Sequence, residues 1–221
     1  MSIGLYSLTN GAGVLGAAES LFSRLSALES RNADLEQANE QLRSDVARLK
    51  RLAYLDPLTG LGNRRHFDTA IATELRRATR HLAPLTLLIC DVDHFKAAND
   101  TYGHDVGDAV LIEIARVLRR FCRRGGDLAI RYAGDEFALI LPGIPYVTAM
   151  RFAEGLRASV RALSVRHPRA RQHATLTLSV GGATFQGTEA CAPARLVAAA
   201  DGALYRAKRA GRNRAELAVC A

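Results

Sequence analysis

The sequence predicts an α/β domain of the α+β type, with a mixed central sheet flanked by helices and preceded by a long coiled-coil helix. Three observations support this. Segments with helical spacing of apolar residues alternate with short runs rich in branched side chains. Two of those runs, Leu128–Tyr132 and Phe137–Leu141, are joined by a tight Ala-Gly-Asp-Glu connection typical of a β-hairpin. A heptad pattern fills much of the first quarter of the chain.

The hairpin matters for the sheet topology. Alternating strands and helices alone would suit an all-parallel nucleotide-binding layout. An internal hairpin requires antiparallel neighbours, so we expect a mixed sheet. No glycine-rich dinucleotide fingerprint and no phosphate-binding P-loop motif occurs in the sequence.

Length and composition define the broad class. With 221 residues, 48% hydrophobic and 24% charged, the chain suits one globular domain with an appendage. No apolar run approaches the roughly 18 residues of a membrane helix, and no secretory leader is evident, so we expect a cytoplasmic protein without a membrane span. The four cysteines lack metal-ligand spacing, and Cys90 lies inside an apolar run, so we expect buried free thiols in a reducing cytoplasm and not disulfides. The net charge of +8 suits an anionic partner, whether a nucleotide, a nucleic acid or a membrane surface.

Residues 19–52 carry the heptad pattern. The d positions are all leucine, from Leu21 to Leu49, and the a positions include Asn32 and Asn39. Asparagine at a positions fixes register and favours two strands. The g and e positions would pair attractively in a parallel dimer, as Arg24–Glu29, Arg31–Glu36 and Asp45–Lys50. We therefore expect a parallel homodimeric coiled coil over 19–52, after a tail at 1–18. The alternative is an amphipathic helix packed on its own domain.

The second domain, 53–221, begins with a hinge. Pro57 disfavours helix at Asp56, and the following glycines indicate a turn. Apolar periodicity then predicts helices, and Pro145 and Pro193 mark two helix starts. The predicted elements, in order, are a helix at 65–81, a strand at 85–93, a loop at 96–104, a helix at 106–121, the hairpin, a helix from Pro145, a strand at 174–183 and a helix at 193–210.

Acidic and basic side chains collect at the ends of these elements. Asp91 lies at the end of a buried strand, and Asp135 and Glu136 lie at the hairpin tip. If these edges are neighbours, three carboxylates converge and repel each other, which a bound Mg²⁺ would resolve. Lys208 and Arg212, spaced by four, could neutralise a polyphosphate. The alternatives are solvated strand-end acids and cations that complement a helix dipole.

Five motifs in order resemble the GGDEF-domain diguanylate cyclases, over about residues 53–216. They are Asp56-x-Leu58-Thr59-Gly60-Leu61-x-Asn63-Arg64-Arg65, Asp91-Val92-Asp93-x-Phe95-Lys96-x-x-Asn99-Asp100, Gly103-His104-x-x-Gly107-Asp108, Arg131-Tyr132-Ala133-Gly134-Asp135-Glu136-Phe137 and Ala200-Asp201-x-Ala203-Leu204-Tyr205-x-Ala207-Lys208-x-x-Gly211-Arg212-Asn213. The resemblance implies a nucleotidyl-cyclase or polymerase-palm-like fold. It also implies that two facing domains join two GTP molecules into cyclic di-GMP and release two pyrophosphates.

The resemblance further implies site residues. Two Mg²⁺ or Mn²⁺ ions per half-site would be held by Asp91, the Val92 carbonyl and Asp135, with Glu136 assisting. Nucleotide contacts would come from Asn99 and Asp108 at guanine, Phe95 and Lys96 in the phosphate loop, Lys208 and Arg212 as phosphate clamps, and Gly134, which leaves room for substrate. His94 and His104 would be neighbours of the site, not ligands.

Two features concern inhibition and activity. Arg124 and Asp127 match the RxxD site at which such enzymes bind their product and are inhibited, although an ordinary turn has the same letters. Gly155 stands where some relatives place a second arginine, with Arg151 and Arg157 nearby. Ala133 replaces the first glycine of the signature. If that position needs positive φ, alanine adds strain of about 1 kcal/mol. If the glycine instead leaves room for GTP, the alanine methyl group would weaken binding.

Two further function classes remain open at this stage. One is a catalytically inactive GTP or cyclic di-GMP receptor that acts through the RxxD site and the coiled coil. The other is a basic coiled-coil protein that binds nucleic acid, which only the net charge favours. Because the metal, guanine and phosphate positions are all present, we expect an active, metal-dependent cyclase without a nucleic-acid partner.

Overall fold

The computed structural model describes residues 6–163, 176–187 and 191–220. Contacts divide the chain into two units, Met1–Arg51 and Leu52–Ala221. The described part of the first unit belongs to the long helix α1, which spans Tyr6–Tyr54. No helix in the described ranges has the length and apolarity needed to cross a membrane.

The predicted long N-terminal helix is confirmed as α1, but it begins earlier than expected. Residues 6–18, predicted to be a tail, are helical, while residues 1–5 lie outside the described part of the chain. The predicted heptad leucines are exposed on α1, including Leu28 at 64% and Leu35 at 59%. An uncovered leucine row of this length is what a coiled-coil helix presents to a partner helix.

In its described residues, the second unit is a five-stranded sheet with helices on both faces. Its elements are α2 (Arg64–His81), β1 (Leu85–Val92), α3 (Phe95–Tyr102), α4 (His104–Phe121), β2 (Leu128–Ala133), β3 (Glu136–Pro142), α5 (Tyr146–Arg161), β4 (Leu178–Phe185), α6 (Pro193–Arg209) and β5 (Ala215–Cys220). The strand order is β2-β3-β1-β4-β5. All neighbours are antiparallel except β4 and β5, so the predicted mixed sheet is confirmed.

Strand alternation divides the interior into two apolar layers. On β1, Leu88, Cys90 and Val92 pack toward α4 and α5. Leu87 and Ile89 face the opposite layer, which contains residues of α2 and α6. The odd-numbered face of β1 therefore continues toward α6, and Asp91 lies on it.

Helix α6 approaches β4 very closely at Gly181. A Cβ atom at this position would collide with the backbone of Leu204 and Ala200. Glycine here lets the helix lie directly on the strand, which sets the distance between the end of α6 and the end of β1.

Three sequence-based expectations need correction. Most of the predicted loop at 96–104 is helical: α3 covers Phe95–Tyr102 and is followed by the C-cap residue Gly103, whose φ of 87° suits glycine. Strand β5 was not predicted, because a short edge strand leaves little periodic signal. Strand β4 begins and ends later than the predicted 174–183, and residues 174 and 175 lie outside the described part.

Candidate active site

The predicted acids meet at one rim of the sheet. Asp91 and Glu136 are directly opposite each other in the β1–β3 register. Asp135 lies in the turn before Glu136, and its carbonyl accepts a hydrogen bond from the Val92 backbone N–H at 3.3 Å. That bond fastens the hairpin turn to the end of β1, so the two acidic segments form a single site.

Burial and neighbouring negative charges disfavour the ionised forms of the carboxylates at this rim. Burial raises the pKa of Glu136, and Asp91 raises it further. Burial also raises the pKa of Asp91, although Lys208 opposes the shift. The Lys208 ammonium lies 2.7 Å from the Asp91 carboxylate. The rim therefore contains carboxylates that are short of positive charge, with one cation already bound to them.

This donor set suits a hard divalent cation, which prefers carboxylate and carbonyl oxygens. Asp91, Asp135, Glu136 and the Val92 carbonyl supply such atoms. Within the described ranges, however, no three His, Cys, Asp or Glu side chains are grouped closely enough to hold an ion. Lys208 is the cation that Asp91 binds.

Asp93 is a buried acid with a different role. It accepts hydrogen bonds from Thr177 and Ser179 at 2.6 Å and from the Asn213 backbone N–H at 3.0 Å. Its charge is thereby satisfied inside the fold. Asp93 thus joins the end of β1 to β4 and to the turn that leads into β5. The sequence motif contains Asp93 but does not reveal this structural role.

The turn at Gly211, Arg212 and Asn213 has three consecutive positive φ angles, of 109°, 62° and 46°. Non-glycine residues adopt this region only when their surroundings hold them there. The bond to Asp93 and one from Arg157 to Asn213 Oδ1, at 2.9 Å, hold this turn. Arg212, a predicted phosphate contact, is exposed on it.

The hairpin turn is held from outside by Arg131. Its Nε donates to the Gly134 carbonyl at 2.9 Å, and its Nη1 reaches both Asp56 oxygens at 3.3 Å. Although burial opposes the shift, hydrogen bonds from Thr59 and the charge of Arg131 lower the pKa of Asp56. The segment after α1 is thus connected to the acidic turn through one ion pair.

Ala133 lies in extended β2 and pairs with Glu136. It is absent from the residues with positive φ, whereas the next residue, Gly134, has φ of 47°. The strain considered for Ala133 is therefore not present. The turn needs its glycine at 134, not at 133.

The predicted guanine contacts lie on the α3–α4 pair. The Asn99 Oδ1 atom is buried without a hydrogen-bond partner, and a Cβ on Gly107 would collide with it. Gly107 therefore leaves space for the Asn99 amide, and a buried acceptor without a partner is a place for a ligand donor. Asp108 follows and is exposed. Phe95 and Lys96 form the first turn of α3, and the N-cap residue His94 makes no side-chain capping hydrogen bond. The first backbone N–H groups of a helix lack partners within the helix and favour anions.

Arg124 and Asp127 lie apart from the acidic rim, at a cavity of about 530 Å³. Asp127 Oδ2 accepts from the Arg124 backbone N–H at 3.0 Å, whereas Asp127 Oδ1 is buried without a partner. Arg77 and His81 of α2 also line this cavity, and the sequence reading did not include them. Of the arginines noted near Gly155, Arg157 is engaged elsewhere, with Glu154 and Asn213.

Comparisons with known proteins find a matching family model and similar curated proteins. Residues 53–214 match the family model described as diguanylate cyclase, GGDEF domain. The chain is 41% identical over 187 residues to a protein named probable diguanylate cyclase DgcC of Escherichia coli K12, covering 83% of this chain and 48% of that protein. It is 39% identical to diguanylate cyclase VdcA of Vibrio cholerae, covering 79% and 50%. The chain thus spans about half the length of these curated relatives.

Two solved structures share both the helix and the domain. One contains the coiled coil and GGDEF domain of DgcB from Caulobacter crescentus in complex with c-di-GMP. Its TM-score is 0.78 at 33% identity, covering 86% of this chain and 99% of that one. The other is diguanylate cyclase SiaD with its activator SiaC from Pseudomonas aeruginosa. Its TM-score is 0.78 at 35% identity, covering 96% and 80%.

We predict that Glu136→Gln stabilises the fold at neutral pH. Because folding raises the pKa of Glu136, its ionised form costs stability above that pKa. The amide removes this cost, and we expect the free energy of unfolding to rise by up to about 0.5 kcal/mol, since the side chain is still partly solvated. Urea unfolding measures the change.

The gain should shrink as the pH falls through the raised pKa toward the ordinary value for glutamate, where the wild-type side chain is protonated as well. Glu40→Gln, at an exposed b position of α1, is the matched control. It should leave the free energy of unfolding unchanged both at pH 7 and at the lower pH where Glu136 is protonated. A Glu136→Gln chain that is less stable than wild type at pH 7 would contradict the repulsion inferred here.

Proposed function

Because the chain belongs to the GGDEF-domain diguanylate cyclase family, we propose that it condenses two GTP molecules into cyclic di-GMP and releases two pyrophosphates. The observation that carries this proposal is the rim at which Asp91 opposes Glu136 and binds Lys208. Such a rim combines anionic groups for a metal with a cation for phosphate. GTP is a cytoplasmic metabolite, so the proposal places the domain in the cytoplasm.

Divalent cations, Mg²⁺ or Mn²⁺, fit this rim, and two ions would bind for each GTP. Their ligands would be Asp91, Asp135, Glu136 and the Val92 carbonyl. When bound, the ions supply charge that stabilises the triphosphate and favours ionisation of the attacking 3′-hydroxyl. The raised pKa values of Asp91 and Glu136 indicate that these carboxylates lack sufficient counter-charge on their own.

Selection of guanine rests on the α3–α4 pair. Asn99 offers a buried acceptor without a partner, and Asp108 lies on the adjoining helix. Guanine can donate to both groups through N1–H and its N2 amino group, whereas adenine has only one amino donor on that edge and would leave one of them unpaired. This arrangement supports GTP as the substrate.

Phosphate binding rests on three elements. The first turn of α3, with Phe95 and Lys96, presents free backbone donors. Lys208 brings a positive charge to the rim from α6, and Arg212 extends from the turn that Asp93 holds. These groups orient the triphosphate, so the chain contributes mainly by positioning and by electrostatic stabilisation.

Two domains must face each other, because each holds one of the two GTP molecules. We assign α1 as one strand of a parallel homodimeric coiled coil, since its heptad leucines are exposed and its asparagines suit two strands. Tethering two domains through this coil raises their local concentration.

Arg124 and Asp127 are assigned as a product site. The cavity beside them has a buried, unpartnered carboxylate oxygen and nearby cationic side chains. Guanine donors and phosphate oxygens of cyclic di-GMP would satisfy these two kinds of group. The same cavity would serve an inactive receptor for cyclic di-GMP, which is the second candidate function.

The proposal is tested by incubating the full chain with GTP and Mg²⁺ and measuring cyclic di-GMP by chromatography. We expect product from wild type and a loss of at least about 100-fold in turnover for Glu136→Gln, since one acidic group at the reacting phosphate is removed. Glu40→Gln should retain full turnover. Wild-type binding of cyclic di-GMP without turnover of GTP would instead favour the receptor function.

For the product site, we expect Arg124→Ala to weaken inhibition by cyclic di-GMP. Loss of one charged hydrogen-bond donor should raise the inhibition constant at least about tenfold while the initial rate stays near wild type. The neighbouring Arg123→Ala is the matched control, because Arg123 is exposed and does not line the cavity. Equal effects of the two variants would argue against the assigned site.

For the coiled coil, we expect Leu35→Glu to dissociate the dimer, whereas Gln37→Glu, at an f position two residues away, should not. A charge in the apolar seam should weaken dimerisation at least about tenfold. Sedimentation measures the mass, and specific activity should become dependent on protein concentration in Leu35→Glu alone. An unchanged mass and activity in Leu35→Glu would refute the assigned seam.

A further inference from the structure

Two of the four cysteines contact each other at the edge of the domain. The Cys191 and Cys220 sulfur atoms are 3.5 Å apart, although the residues are 29 positions apart in sequence. Cys191 precedes α6, and Cys220 is the last residue of β5. All four cysteines are free thiols in the structure. The sequence analysis treated all four cysteines as buried free thiols, whereas Cys122 and Cys191 are only half-buried, and it did not predict this contact.

The pair differs in its surroundings from the other two cysteines. Cys90 is fully buried within β1, and burial raises the pKa of Cys122 to about 12. Cys191 is only half-buried and lines an open cavity of about 400 Å³. Cys220 is buried directly behind it. The Cys191 thiol is thus accessible to a small molecule, and the buried Cys220 thiol lies in contact with it.

Charge at the cavity indicates which small molecule enters. Arg76 and Arg80 of α2 line it together with Cys191. Guanidinium groups bind carboxylates well. A disulfide whose ends bear carboxylates would therefore be held with its sulfur atoms near Cys191.

We propose that Cys191 and Cys220 are a redox-active dithiol that an anionic low-molecular-weight disulfide converts to an intrachain disulfide. The Cys191 thiolate attacks one sulfur of the incoming disulfide, forms a mixed disulfide and expels one thiolate. The Cys220 thiolate then attacks the Cys191 sulfur and expels the second. Two protein thiols and one small disulfide become one protein disulfide and two small thiols, so atoms, protons and electrons balance.

The rate of this exchange should depend on pH. Burial and the contact with Cys220 raise the pKa of Cys191 to about 11, while Arg195 of α6 opposes the shift. Arg76 and Arg80 face the same cavity from α2. The thiolate is therefore scarce at pH 7, and the rate should rise about tenfold per pH unit between pH 7 and pH 9. The resting state is the dithiol.

The bond would close a loop around α6 and β5. It would join the start of α6 to the end of the edge strand β5. Helix α6 is the element that carries Lys208. Cross-links that close a loop of this length restrict the unfolded chain, so we expect the melting temperature to rise by about 5 °C or more.

The test incubates the reduced full chain with oxidised glutathione and follows intact mass and cysteine peptides by mass spectrometry. We expect the intact mass to fall by two hydrogen atoms. Among the peptides, we expect one cross-linked species that contains Cys191 and Cys220. Cys220→Ser should stop at a mixed disulfide on Cys191, and Cys191→Ser should remain unmodified. Cys122→Ser, the matched control, should form the cross-link at the wild-type rate.

The charge argument has its own control. Arg76→Ala with Arg80→Ala should slow the reaction with glutathione disulfide several-fold and leave the reaction with the neutral hydroxyethyl disulfide unchanged. No cross-link under oxidising glutathione, or one that includes Cys122 or Cys90, would overturn the proposal. Equal slowing with both reagents would overturn the choice of an anionic oxidant. These readouts are independent of whether the chain makes cyclic di-GMP.

Discussion

The rest of the site depends on the register between β1 and β3, which places two carboxylates opposite each other. Because side chains alternate along a strand, a slip of one residue would turn Asp91 and Glu136 to opposite faces of the sheet. In the observed register they share a face and repel. That repulsion is tolerated because Lys208 reaches Asp91 from α6, and α6 lies close enough because Gly181 has no side chain.

The acids of this region divide into two groups according to their hydrogen bonds. Asp93 accepts three donors and Asp56 is held by Thr59 and Arg131, so both carry charge that the fold itself satisfies. Glu136 is half-buried beside like charge, and among the described residues Lys208 is the cation paired with Asp91. Acids whose hydrogen bonds are made by the fold itself stabilise its structure. Acids at a rim that lack such partners are candidates for ligand binding. The first group fixes the turns from which the second group acts.

Sequence reasoning located the elements with strong periodicity and missed those without it. The hairpin and α4 follow directly from their apolar spacing, and Asp135 and Glu136 lie where the hairpin turns, as expected. Lys208 is on α6, whereas Arg212 lies beyond its end. Helix α3 is short and its second half is rich in turn-forming residues, so it resembled a loop. Strand β5 gains its identity from pairing with β4, which is a tertiary contact. The partners of Asp93, the approach of Cys191 to Cys220 and the position of Arg77 likewise depend on residues distant in sequence.

Ala133 shows how the two glycine positions of the signature differ physically. Residue 134 makes the turn, since its φ of 47° is one that glycine adopts freely, whereas residue 133 is extended and belongs to β2. The turn is held by Arg131 on the Gly134 carbonyl and by Val92 on the Asp135 carbonyl, and neither bond involves the side chain at 133. A methyl group there leaves the carboxylates in place and adds no backbone strain. Under the proposed function, its effect would therefore fall on the space left for a nucleotide and not on the folding of the site.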